Sequence, residues 1–346
     1  MADPNNPLTP RINEGENRLT ETEKALKKNV IINGAFDFWQ RGISNASVAF
    51  ADEYSLADRF YTRVGGNIST RLFEQSTDIP TELQNIVDYS MHITATGTGT
   101  FNMRLGHKIE SNFIKHLSNK TAQISFYIKQ ENIVSFDIEA YIPVVKDSHG
   151  AAGAGDTQIL NLVDVQGITN TWSRYTYEIA LGDVSNGLHL VLEWNGDNLA
   201  TPDVHVAGLM LHEGEVASDF QRAGRDLVEE QLLCYRYFYR INPTLSAAIV
   251  SGMVFSNPNN RGDFHWILPA IPRTTPSWLI NGNFVVYDGN GNASALASGQ
   301  GVIYQEGNIV TTGFTTSVSM GGVAQPCTLL VSSGNASNKI EFEMEL

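Results

Sequence analysis

Ser173–Ala180 reads SRYTYEIA. In an extended chain Tyr175 and Tyr177 fall on one face and Arg174, Thr176 and Glu178 on the other, the two-residue period of a strand with one wet side. Runs of the same kind lie to either side: Ala122–Gln130 (AQISFYIKQ), Ile133–Val145 (IVSFDIEAYIPVV), Gly187–Trp194 (GLHLVLEW) and Val204–Leu211 (VHVAGLML), divided by Gly, Asn, Asp and Ser. Many short strands at loop-separated intervals predict a β-sandwich over residues 29–224.

The flanks read differently. Residues 1–19 are rich in Pro, Asn and Glu and form an extended arm, and Thr20-Glu21-Thr22-Glu23 fits a capping box ahead of a short helix at 21–28. Such a helix is too short to stand alone, so the arm 1–28 needs a partner to lean on. A connecting helix is expected at Arg225–Cys234 (RDLVEEQLLC), where Leu227, Val228, Gln231, Leu232 and Tyr235 make a mostly apolar stripe and Asp226, Glu229 and Glu230 favour the first turn. Beyond it the chain is again strand-like, with hairpin signals at Asp288-Gly289-Asn290-Gly291 and Gly321-Gly322. The last stretch, Asn338–Leu346 (NKIEFEMEL), alternates Ile340, Phe342, Met344 and Leu346 against Lys339, Glu341, Glu343 and Glu345. The expected organisation is an arm (1–28), a sandwich (29–224), and a helix with a smaller β-domain (225–346).

Composition narrows the function. Of 346 residues 42% are hydrophobic and 17% charged, too apolar for a disordered chain. No run approaches the ~18 apolar residues of a spanning helix, so a soluble protein without membrane insertion is expected. With 23 basic and 37 acidic residues the chain carries −14, and it shows no basic stripe that would receive a phosphate backbone, which argues against nucleic acid. Residues 29–240 hold 15 basic and 26 acidic groups, so most of the charge lies on the sandwich. Between Arg273 and Lys339 there is no Lys or Arg, and only Asp288 and Glu306 are acidic. A surface this neutral is covered by sister chains or meets an uncharged partner. Cys234 and Cys327 lack any framework or ligand spacing and read as buried thiols. The first 30 residues have no apolar segment of a secretion signal, so synthesis in a cytoplasm is expected.

No P-loop, HExxH, GxSxG or EF-hand pattern occurs. Gly97-Thr98-Gly99 and Gly153-Ala154-Gly155 lack the third glycine of a dinucleotide site and read as turns, as does Arg261-Gly262-Asp263 ahead of a strand at Phe264–Leu268. His205 and His212, seven apart on one strand, would face opposite sides, so neither a metal site nor a cofactor is expected. The acidic residues are too many for spacing to pick a glycosidase pair. The expectation is a protein that is not an enzyme.

Asn29–Arg41 reads NVIINGAFDFWQR, followed by Gly42 and then Ala57-Asp58-Arg59-Phe60-Tyr61. These elements, with Val206–Phe220 (VAGLMLHEGEVASDF), Arg225–Tyr239 (RDLVEEQLLCYRYFY) and Phe264–Pro276 (FHWILPAIPRTTP), resemble in order the structural fibre proteins of tailed bacteriophages and prophages. The resemblance covers residues 29–280 and departs from the family pattern at His212 and in the loop Gly150–Gly155 (GAAGAG). It implies a jelly-roll sandwich similar to carbohydrate-binding modules, homotrimeric assembly with two further copies of the chain, and a place in the virion. It also implies attachment to host surface glycans, with residues 1–28 docking on other virion proteins. Two rival readings stay open: a purely structural head-fibre or neck/tail connector, and a polysaccharide-degrading spike.

Within the signature, Asn33 and Gly34 suit a tight approach at the first strand, and Phe36, Phe38 and Trp39 supply apolar mass. Asp58 and Arg59 are expected to tie the sandwich edge by a charge-assisted hydrogen bond. A sugar site needs flat aromatic faces beside Asn, Asp, Gln or Arg. The candidates are Trp194 with Asn195 and Asp197, Trp172 with Arg174, Tyr141 with Asp137, and Trp266 with Arg261 and Asp263. Trp194 leads them because it sits at a strand end entering a polar loop. For each, a core or interface aromatic is the competing reading.

Overall fold

The computed structural model describes residues 29–46, 52–148, 155–165, 167–197, 201–214, 218–242, 248–254, 261–288, 293–316, 325–331 and 338–345. The arm 1–28, the loop residues 150–154 and the turn residues 289–291 and 321–322 lie outside these. Within the described residues the protein is all-β, with two compact units that divide at Glu230/Gln231. No described helix is long and apolar enough to cross a membrane.

The first unit contains β1 (Ser44–Asn45), β2 (Phe60–Ser76), β3 (Ser90–Ile109), β4 (Thr121–Glu131), β5 (Ser135–Ile142), β6 (Thr157–Leu162), β7 (Ser173–Ala180), β8 (Leu188–Gly196) and β9 (Asp203–Glu213). The twenty-residue β3 decides the topology. Its Met91–Thr94 pair with β9, its Phe101–Ile109 pair with β8, and β2 runs along its other edge through both stretches. Two leaves result: a front leaf in the order β6-β5-β8-β3 and a back leaf in the order β3-β9-β4-β7, with β2 beside β3 in each. Gly97-Thr98-Gly99 therefore does not reverse the chain. It lies inside β3, where register shifts around Ile68 absorb the irregularity as bulges.

The leaves pack face to face. Phe126 of β4 meets Phe136 of β5 edge-on at 5.9 Å, and Phe136 stacks on Trp194 of β8 at 5.2 Å. Alternation supplies the rest: Phe136, Ile138 and Ala140 point inward from β5, and Leu188, Leu190, Leu192 and Trp194 from β8. On β7, Tyr175 and Tyr177 lean on this core while Thr176 and Glu178 stay exposed, the two faces read from SRYTYEIA.

A bulge in β9 changes one expectation. Gly208 adopts φ +60°, a conformation glycine reaches without Cβ strain, and the pairing with β4 slips there. Val204 and Val206 face the core before the bulge and Leu209 and Leu211 after it, so His205 and His212 share the outer face instead of opposing each other. At about 3.3 Å per residue they are still roughly 20 Å apart, too far to share an ion.

The helix Leu227–Tyr235 crosses the division between the units, and the Asp226 side chain accepts from Glu229 N at 2.8 Å as its N-cap. The second unit holds β10 (Phe238–Ile241), β11 (Ala248–Val254), β12 (Arg261–Ile267), β13 (Ser277–Asn281), β14 (Phe284–Asp288), β15 (Ala293–Glu306), β16 (Ile309–Thr316), β17 (Gln325–Val331) and β18 (Lys339–Glu343). Six strands close a barrel in the order β11-β12-β16-β15-β14-β17, and β10-β18-β13 form a three-stranded sheet. Phe264 stacked on Phe314 at 4.2 Å fills this unit together with Val286, Val310 and Leu329. Arg261-Gly262-Asp263 is part of β12, paired with Thr315, Phe314 and Gly313, and is not a turn. Ile340, Phe342 and Met344 are buried as expected, and Glu341 of the opposite face is also buried, because Arg240 and Lys339 close over its carboxylate. The cross-strand partners Ile267 and Ile309 are 79% and 45% exposed.

Candidate functional site

The signature residues form a buried turn. Asn33 and Phe36 both have positive φ, and the Asn33 side chain holds the turn closed, donating to the carbonyls of Phe38 and Asp58 at 2.9 Å and accepting from Phe38 N at 3.0 Å. Asn33 N donates to Glu230 at 2.5 Å, and Gly224 N donates to the other oxygen of the same carboxylate. Burial raises the Glu230 pKa, against the pull of these two N–H donors. Gly34 passes so close to the back leaf that a Cβ would stand 2.0 Å from Leu209 O. Trp39 is half-buried and packs on the core, with its indole N–H given to Phe36 O. Asp58 and Arg59, expected to tie the sandwich edge, each hold a neighbouring segment. Asp58 accepts from Gln40 N at 3.2 Å with Arg41 at 3.7 Å, while Arg59 donates to Lys108 O.

The sugar candidates separate onto different surfaces. Trp194, the leading one, is fully buried against Phe136 and offers no face to a ligand. The strand-end argument fails because β8 runs on to Gly196, which keeps Trp194 on the inward parity. Trp266 is likewise core, 4% exposed and donating to Thr312 Oγ1 at 2.8 Å. Asp197 sits half-buried just past the end of β8.

With Trp194 inward, its neighbours point outward, and the front leaf gains a polar outer face in cross-strand rows. The first row runs Ser135, Asn195, Asn102; the next runs Asp137, Glu193, Arg104, Arg63; then come Glu139, Val191, Gly106, Tyr61, and finally Tyr141, His189, Lys108. Asn195 Nδ2 donates to Ser135 Oγ at 2.9 Å and Asp137 Oδ2 at 3.1 Å. Glu193 accepts from Asn102 Nδ2 at 2.9 Å and from Arg104 Nε. Burial works against the Arg104 charge, but Glu193 outweighs it and holds the guanidinium above its ordinary pKa.

Aromatic rings lie beneath this polar field: Tyr61 and His189 are fully buried, and Tyr141 and Lys108 nearly so. Tyr61 lies across Gly106, where the lack of a Cβ gives it room, and its hydroxyl meets His189 Nε2 at 2.7 Å. Tyr141 accepts from Gln158 Nε2 at 3.1 Å and stands 6.1 Å from the His189 ring. Burial first, and then Glu139, raises the Tyr141 pKa far above the ordinary phenol value, so it stays a neutral hydroxyl. Lys108 lies 5.0 Å over the Tyr61 ring and pairs with Asp52 at 2.9 Å. Among the described residues Glu139 Oε2 is a buried acceptor with no hydrogen-bond partner. Tyr61, Arg104, His189 and Glu193 escaped the sequence reading. The alternation of GLHLVLEW, read with Trp194 inward, places two of them, His189 and Glu193, on the opposite face, where both are buried.

Trp172 and Arg174 belong to the outer face of the back leaf, on the far side of the sandwich core. Trp172 is half-buried, donates from Nε1 to Asp78 Oδ1 at 2.9 Å, carries Lys129 Nζ at 5.7 Å over its ring and meets the His205 ring edge-on at 6.0 Å. Arg174 donates to Ser218 O and lies 5.9 Å over Tyr127. Of the sequence candidates, Asn195, Asp137 and Tyr141 share the front face, Trp172 and Arg174 share the back, Trp194 and Trp266 are core, and Asp197 lies at a strand end.

No family model matches the chain and no curated relative does. Among solved structures it is similar to a carbohydrate-binding module of the β-sandwich superfamily, at 13% identity and TM-score 0.34 over 49% of this chain and 62% of that one. It is also similar to TmCBM61 in complex with β-1,4-galactotriose, at 10% identity and TM-score 0.31 over 54% and 99% of the two chains. A third likeness is to the enzymatically active domain of tailspike protein 4 of bacteriophage CBA120, at 13% identity and TM-score 0.33 over 54% and 21%. These scores are low, and the site is read from its own residues.

Proposed function

We propose that the chain is a non-catalytic subunit of a bacteriophage virion fibre or spike, homotrimeric, that adheres to host surface glycans through the outer face of the front leaf. The observation that carries the reading is the ordered field of accessible donors and acceptors on rigid strands, Asn102, Asn195, Asp137, Arg104 and Gln158, held from beneath by the buried Glu193 and Tyr141. Sugar hydroxyls both donate and accept, and such a mixed field suits them. The held geometry lowers the ordering cost of binding. The carboxylates among these groups favour neutral over highly anionic glycans.

Trimerisation is supported by the charge-poor second unit and by its exposed apolar pair Ile267 and Ile309. Three copies multiply weak contacts into avidity without any new contact. A glycan array probed with the purified full-length protein tests the function. Selective retention on a subset of host envelope sugars is expected, and a flat response would leave the purely structural connector as the better reading.

A further inference from the structure

The outer face of the back leaf carries a second row that the glycan reading does not use. Register sets Glu74 of β2 opposite His92 of β3, His92 opposite His205 of β9, and His205 opposite Lys129 of β4. Asp203, two residues before His205, is on the same face. Its Oδ1 lies 3.1 Å from His92 Nε2 and 3.4 Å from His205 Nε2, and the three ligand atoms fall within 4.8 Å of one another. The two imidazole rings stack at 4.2 Å and 13°, and both Nε2 atoms lie near the same carboxylate oxygen; a shared ion requires one ring to turn about χ2 so that the in-plane lone pairs converge.

On the other side of His92, Glu74 Oε1 is 2.8 Å from Nδ1. The nearer carboxylate favours the tautomer with the proton on Nδ1, which leaves Nε2 with its lone pair. That lone pair then faces an anionic oxygen at 3.1 Å, an arrangement that is repulsive until a proton or a cation sits between them. The charges around it favour a cation: Glu74, Asp203 and Asp78 are acidic, and among the described residues the neighbouring ammonium, Lys129, is held by Asp78.

We propose that His92, His205 and Asp203 form a mononuclear binding site for a divalent transition metal of the zinc class, with Glu74 orienting His92 from behind. Tetrahedral coordination with bonds of about 2.0–2.1 Å places ligand atoms about 3.3 Å apart, which the 3.1 and 3.4 Å separations bracket. Two imidazoles and one carboxylate suit zinc and its neighbours and disfavour calcium or magnesium, which take oxygen ligands. Asp203 is the exposed member, so the fourth position opens to solvent for water or an external ligand. No spacing rule finds this site, because His92 and His205 meet only through the pairing of two distant strands.

The test uses untagged, metal-stripped full-length protein titrated with Zn²⁺ against a chromophoric chelator, and with Co²⁺ followed by visible absorption. One equivalent per chain and the absorption of tetrahedral cobalt are expected. His205→Gln and Asp203→Asn should each weaken binding at least tenfold, and Glu74→Gln by about 10–100-fold, as removal of an orienting carboxylate does elsewhere. Asp203 is exposed, so Asp203→Asn keeps the fold and keeps the test decisive should His205→Gln disturb it. Absence of stoichiometric binding would overturn the proposal. Undiminished binding in Asp203→Asn and His92→Gln would do the same by placing the metal elsewhere.

Discussion

Replacing Trp194 by alanine separates a core role from a ligand-facing one. The side chain is fully buried and stacked on Phe136 between the two leaves. A buried aromatic removes about 150–250 Å² from water, which at about 25 cal/mol per Å² bounds the transfer contribution at about 4–6 kcal/mol. Aromatic truncations in cores cost about 3–5 kcal/mol once partial collapse of the cavity is included, and that is the expected loss here. For a domain of this size the melting temperature should fall by about 6–20 °C. Trp194→Phe should cost far less, about 1–2 kcal/mol, because it keeps the stack and removes an indole N–H that has no partner among the described residues. Urea denaturation followed by far-UV circular dichroism gives the stability, and glycan affinity measured well below the melting temperature gives the function. Unchanged stability of Trp194→Ala together with lost glycan affinity would refute the inward assignment of β8 and with it the polar front face.

Three further outcomes are expected. Gly34→Ala should destabilise the first unit by about 3 kcal/mol or more, since the new methyl would meet a backbone carbonyl that cannot move aside; wild-type stability in denaturant would contradict the tight approach. Burial raises the Glu230 carboxyl above its unfolded value, so its contribution is fully present below the ordinary carboxyl range and is lost as pH rises through the higher folded value; a wild-type to Glu230→Gln stability difference that stays constant between pH 4 and 8 would rule this out. Removing residues 1–28 should leave a folded trimer that fails to enter virions, and normal incorporation of the truncated protein would disprove a docking arm.

Local pattern made much of the first unit legible. SRYTYEIA carries its period within eight residues, and the structure keeps its two faces and a strand at each of the neighbouring runs. The parts that sequence hid are those set by long-range pairing. Gly97-Thr98-Gly99 reads as a turn because glycines interrupt the pattern, yet β2 continues alongside and carries β3 from one leaf to the other. The parity of β9 cannot be counted through Gly208, since one bulged residue moves every later side chain to the opposite face. The same limit governs the site. Trp194 looked available because a polar loop follows it, whereas its burial depends on Phe136 across the neighbouring strand. Asn195 and Tyr141 were chosen for chemistry that the front face does gather, but the partners that complete it, Arg104, Glu193 and His189, come from register.

The central claim is that one particular face binds glycan, and it is tested most directly by affinity for a host oligosaccharide in two sets of variants. Arg104→Ala and Asn195→Ala alter the front leaf, and Trp172→Ala alters the back. The account predicts at least tenfold weaker binding for both front-face variants, with the sandwich still folded, and unchanged affinity for Trp172→Ala. Loss confined to Trp172→Ala, or equal affinity in all three, would contradict it.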